Sequence, residues 1–128
     1  MKRVLLSLLA MAGMCAYAQT TFVVDDVTYT IKEGTSQPEV ELTKAGDEAK
    51  KVTTLVIPST VSDGTTSYKV TSIAAQAYQW SYATSIKVPG SVKTIGDCAF
   101  YYGYPSTIQL GNGIETLGAN AFGSKNLT

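Results

Sequence analysis

The chain has 128 residues, with ten basic and ten acidic side chains, no histidine and two cysteines. The lack of histidine removes the commonest general base and metal ligand. Charges that balance and are scattered singly exclude the basic patch on which nucleic-acid binding depends.

Residues 1–18 read as an export signal. Lys2 and Arg3 form a basic start, Val4 to Ala12 is an almost unbroken apolar run, and Ala16-Tyr17-Ala18 puts small residues at a signal-peptidase site. The run is too short for a stable membrane span, and Met14 before Cys15 is a poor fit to a lipoprotein site. The expected product is cleaved after Ala18 and is secreted or held at the cell surface, with no membrane span. It keeps ten acids, eight lysines and no arginine, and arginine is the favoured reader of phosphates and guanines. Cys98 would be its lone cysteine, so no intramolecular disulfide is expected. Beside Ala99 and Phe100, Cys98 is expected to behave as a small buried hydrophobe.

Residues 19–52 do not repeat. FVVDDVTYTI (22–31) predicts a hairpin turning at Asp25-Asp26, with Val27, Tyr29 and Ile31 alternating along the returning strand. A Ca²⁺ site at the two aspartates is conceivable, but a turn is the stronger reading. Val40-x-Leu42 predicts another short strand, and a charged loop follows from Lys44 to Lys51. The open end of a repeat core needs a cover, and residues 19–52 are expected to supply it as an N-terminal β-hairpin cap.

Residues 53–128 repeat. Ile73, Ile95 and Leu117 lie 22 residues apart, as do Ala77, Ala99 and Ala121, and likewise Tyr78, Phe100 and Phe122. SIKVPGSVKTIGDCAF (85–100) aligns with TIQLGNGIETLGANAF (107–122) without a gap. A first copy runs from Leu55 and Ile57 to Ile73 once an insertion at 62–70, read as a hairpin turning at Asp63-Gly64, is set aside. A fourth copy would begin at Leu127 and is truncated. In each copy an alternating strand such as Ile86-x-Val88 is followed by a turn, and IGDCAF or LGANAF suits a short helical turn closing the coil. The expected architecture is an α+β leucine-rich-repeat solenoid of 22-residue period, with stacked coils forming one continuous core.

The stretches IPSTV, VPGSVKTIGDCAF and LGNGIETLGANAF resemble the BspA-like leucine-rich repeats of bacterial surface proteins. The third copy departs from that pattern with Gly111 in place of Pro, and the first with Tyr78 in place of Phe and Ala74 in place of Gly. The resemblance implies secreted or surface-displayed proteins, often adhesins that bind host matrix proteins or other cells.

Two surfaces are candidates for binding. The outward side chains of the repeat strands include Lys87 and Gln109, on a polar face of roughly 150 Å². A standard interface needs about 800 Å² per partner, so this face is too small to act alone. The second is an aromatic edge, QWSY (79–82) and YYGY (101–104), in which Trp80, Tyr82, Tyr102 and Tyr104 would lie side by side. Such rings suit protein or sugar surfaces, although they can also simply fill the edge of a coil. No nucleophile–base set, metal-ligand cluster or phosphate loop is present, so no catalysis and no cofactor are expected. The leading expectation is a non-catalytic extracellular binding protein for a cell-surface or matrix protein, with a glycan bound through the Trp/Tyr edge as an alternative. A purely structural capping segment of a longer array is the rival. Ile108, Leu110 and Phe122 in the last complete coil have no following coil to cover them, which invites end-to-end self-association.

Overall fold

The computed structural model describes residues 4–8, 20–101 and 105–123. These form eleven strands in two sheets and one 3-10 turn at Ala49–Lys51. The first four strands are β1 (Val4–Leu8), β2 (Thr20–Val24), β3 (Val27–Ile31) and β4 (Glu39–Ala45). They pair antiparallel in chain order. β2 and β3 form the hairpin expected at 22–31. Asp25 and Asp26 both take left-handed backbone (φ 51° and 64°), as a two-residue turn matched to strand twist requires. The apolar run expected to be an export signal contributes β1, whose five residues run along the whole of β2.

The remaining strands are β5 (Thr54–Val56), β6 (Thr60–Ser62), β7 (Ser67–Ile73), β8 (Ser85–Val88), β9 (Thr94–Ile95), β10 (Thr107–Leu110) and β11 (Thr116–Leu117). The larger sheet runs β1-β2-β3-β4-β7-β9-β11, with β6 also paired to β7; the smaller is β10-β8-β5. β6 and β7 make an antiparallel hairpin. Its turn is held by the Asp63 carboxylate, which accepts the Thr65 and Thr66 N–H groups at 2.8 Å. β7 runs without a break from inside the predicted insertion into Ile73 and lies between β4 and β9. Those nine residues are therefore woven into the main sheet.

The α+β class and the short helical turns are not observed. Among the described residues the chain is almost entirely strand and turn. Gln76, Cys98 and Asn120 occupy equivalent places in IAAQAY, IGDCAF and LGANAF, and all three have left-handed backbone (φ 62°, 57° and 56°). A left-handed residue stops an α-helix from propagating. The turns instead pair with one another across copies. Gln76 N–H donates to the Asp97 carbonyl (3.0 Å), Tyr78 to Ala99 (2.7 Å), Cys98 to Ala119 (3.0 Å) and Phe100 to Ala121 (2.7 Å). Cys98 is half-buried rather than enclosed.

The two sheets and this ladder of turns enclose one core. Ile86, Val88, Val92, Ile95, Ala99 and Phe100 are buried, as are Leu55, Ile57, Ile73, Ala77 and Tyr78 of the preceding copy. Tyr78, Phe100 and Phe122 stack, with ring centroids 5.6 and 5.0 Å apart and planes tilted by 12° and 4°. The copies approach closely at Gly96 and Gly118: a Cβ on Gly96 would lie 2.4 Å from Ala75 N, and one on Gly118 would lie 2.5 Å from Asp97 N. Ala74, at the equivalent place in the first copy, faces β4 instead and donates its N–H to the Leu42 carbonyl at 2.9 Å. Its methyl group is tolerated because no repeat turn lies beneath it.

Candidate binding surfaces

The outer face of the smaller sheet carries two rows set by parallel register. Thr54, Ser85 and Thr107 form one; Val56, Lys87 and Gln109 form the other. Lys87 and Gln109 are both exposed and adjacent. Three short strands at about 4.8 Å spacing give a small and mostly uncharged face, suited to supplementing a larger contact.

The aromatic edge is partly visible. Trp80 is 59% and Tyr82 70% exposed, while Ser81 between them is buried. The Ser81 hydroxyl accepts the Ala83 N–H at 3.1 Å, which turns the chain so that its two aromatic neighbours face out. Trp80 has left-handed backbone (φ 69°), and its N–H donates to the Tyr101 carbonyl at 2.9 Å. Such a conformation is uncommon for a bulky residue. Tyr82 N–H donates to the Lys50 carbonyl at 2.8 Å. Lys51 lies close enough for the Tyr82 phenol to contribute to its raised pKa, although the Glu48 carboxylate, 2.8 Å away, is the main cause. Tyr102 and Tyr104, the other two members of the expected edge, lie outside the described residues.

The last described copy offers a third surface. Leu110 and Leu117 are 43% and 51% exposed, although their counterparts Val88 and Ile95 are buried. The difference is one of neighbours: β10 and β11 pair on one side only among the described residues.

Sequence reasoning passed over a cleft of about 340 Å³ between the β2–β3 hairpin and β5, where Asp25, Tyr29 and Tyr78 meet. Burial pushes the Tyr29 hydroxyl up to about 12, with the Asp25 charge adding to the effect. Burial likewise raises Tyr78, helped by Tyr29 and Asp26. The one sequence signal for this cleft was Tyr78 standing where later copies carry Phe. No group of three or more metal-ligating side chains occurs among the described residues, and none of the helices found there is long and apolar enough to cross a membrane.

Residues 71–128 match the family described as "BspA type Leucine rich repeat region (6 copies)". Curated proteins yield no match. Among solved structures, a leucine-rich repeat protein from Bacteroides capillosus ATCC 29799 superposes with a TM-score of 0.70 at 28% identity, over 80% of this chain and 73% of that one. A leucine rich cell surface protein from Faecalibacterium prausnitzii A2-165 gives 0.65 at 18% identity, over 84% of this chain and 29% of that one. The pneumococcal vaccine antigen PcpA gives 0.59 at 18%, over 80% and 29%. The last two similarities speak to the fold alone, and this chain spans less than a third of either protein.

Proposed function

Residues 71–128 are BspA-type leucine-rich repeats, and from that premise we propose that the chain is a non-catalytic protein of the cell exterior that binds a surface or matrix protein. Removal of residues 1–18 as an export signal, with residues 19–52 capping a 22-residue solenoid, belongs to the same proposal. The in-register pairing of Ser85 with Thr107 and of Thr94 with Thr116 supports the coil length. The observation that carries the binding role is the outward pair Trp80 and Tyr82. Two large rings on one turn offer much contact area at low entropic cost, and the polar Lys87–Gln109 face supplements them. The test is immobilised matrix proteins and a glycan array probed with the chain and with its Trp80→Ala and Tyr82→Ala variants. Binding to a protein that falls at least tenfold in both variants supports the reading. Binding to glycans instead, or binding that ignores both substitutions, refutes it.

The exposed Leu110 and Leu117 favour a second reading, in which the last copy seats another element end to end. A monomer by light scattering at all concentrations up to about 0.1 mM, on the order of a weak homodimer's dissociation constant, would refute self-association.

A further inference from the structure

The larger sheet continues past β7 through β4, β3 and β2, whereas the smaller sheet stops at β5. The β2–β3 hairpin therefore overhangs β5, and the cleft lies beneath it. Ile57 N–H donates to the Lys87 carbonyl (2.9 Å), and the Thr53 carbonyl accepts Ser85 N–H (3.2 Å), so odd-numbered backbone groups face β8. In a parallel ladder the alternate residues then point the other way. The N–H and C=O of Thr54 and Val56 face the cleft side, where β5 has no strand partner among the described residues. Val56 and Val52 line the same cleft and stand exposed.

The inner end of the cleft is polar. Tyr29 and Tyr78 are almost wholly buried and both line it, so their phenol groups border the cleft. Tyr78 is the last ring of the Phe122–Phe100–Tyr78 stack. A hydroxyl is thus added to the repeat's usual phenylalanine at the copy that borders the cleft. Asp25 also lines the cleft, and Asp26 is its neighbour at the hairpin tip. After burial, Asp25 raises the Tyr29 hydroxyl, and Tyr29 and Asp26 raise that of Tyr78.

We propose that this cleft takes an extended segment of a partner protein, which adds as a strand to the free edge of β5 and sends a lysine or arginine side chain in toward Asp25. The main chain of the segment pairs with Thr54 and Val56, as in other strand-addition complexes. The aliphatic stem of the basic side chain covers Val27 and Leu55, and its cation meets the carboxylate and the two phenol oxygens. A glutamate in its place would set like charges together. This site is separate from the Trp80–Tyr82 edge, so Trp80→Ala leaves it intact whether or not the aromatic edge binds anything.

The probe is a fluorescent peptide, acetyl-Thr-Val-Lys-Val-Thr-amide, with norleucine and glutamate versions, titrated against the full chain and followed by anisotropy. Binding of the lysine peptide is expected on the order of 0.1–1 mM, because so short a strand offers few contacts. Norleucine should bind roughly three- to tenfold more weakly, and glutamate more weakly still. Asp25→Asn suits the left-handed backbone and should erase the preference for lysine. Tyr78→Phe restores the repeat's own residue, so it keeps the fold, and should weaken all three peptides. Val56→Pro removes an outward N–H and should abolish binding. Equal affinity for the three peptides, insensitivity to Val56→Pro and Tyr78→Phe, or no binding at millimolar concentration overturns the proposal. So would a glycan that binds in a Tyr78-dependent manner while the peptides do not.

Discussion

Substituting Gly96 by alanine tests the idea that the copies are held apart by less than a methyl group. A Cβ at Gly96 would lie 2.4 Å from Ala75 N and 2.8 Å from both Ala74 C and Ala75 Cα, all backbone atoms of the preceding turn. Ordinary contact begins near 3.4 Å, so the two turns must separate by about 1 Å or the backbone must distort. Separation strains two hydrogen bonds, Gly96 N–H to the Ile73 carbonyl (2.8 Å) and Gln76 N–H to the Asp97 carbonyl (3.0 Å). Overpacking costs about 1–3 kcal/mol and weakening the hydrogen bonds about 1 kcal/mol. The expected loss is thus about 2–4 kcal/mol, and urea unfolding followed by circular dichroism measures it. Ala74→Gly is the matched control: it removes the methyl group where it is tolerated and should cost only about 0.5–1 kcal/mol. A Gly96→Ala chain within about 0.5 kcal/mol of the parent would refute the close-approach argument.

Phe100 lies between Tyr78 and Phe122 and is wholly buried, so Phe100→Ala should cost about 3–5 kcal/mol; half-buried Phe122 should cost less, and denaturant midpoints decide the order. Cys98→Asn should stabilise the chain by about 0.5–1 kcal/mol, because asparagine suits the left-handed backbone at φ 57°, a gain readable as a higher melting temperature. Tyr29 ionises at about 12 in the folded chain, above the ordinary 10.0, so the folded state holds its proton more tightly than the unfolded state does. The stability this carries is present below pH 10 and lost as the pH rises from 10 towards 12; Tyr29→Phe should move alkaline unfolding, followed by ultraviolet absorbance, to higher pH.

The repeat was legible because each copy solves the same local packing problem. Ile73 and Ile95 pair across β7 and β9 as their spacing implies. The rings at 78, 100 and 122 keep one phase and stack. The closing turns were misread as helical because IGDCAF has helix-compatible residues and a short apolar spacing. What decides their form is the left-handed residue in each turn and the N–H groups donated to the next copy, neither of which a single segment reveals. The cleft was hidden for a related reason. Tyr78 is about fifty residues from Asp25 and Tyr29 in sequence, and it meets them because the two sheets differ in width.

Composition and spacing alone determined the repeat family and the phase of the apolar positions from which the core is drawn. Those properties reside in residue type and phase, and phase is local. Tertiary structure alone decided that β7 lies between β4 and β9, and that alanine fits at position 74 but not at 96 or 118. It also decided that Leu110 and Leu117 are exposed while Val88 and Ile95 are buried. Each of these depends on what lies on the far side of a strand or turn, which the residue itself does not encode.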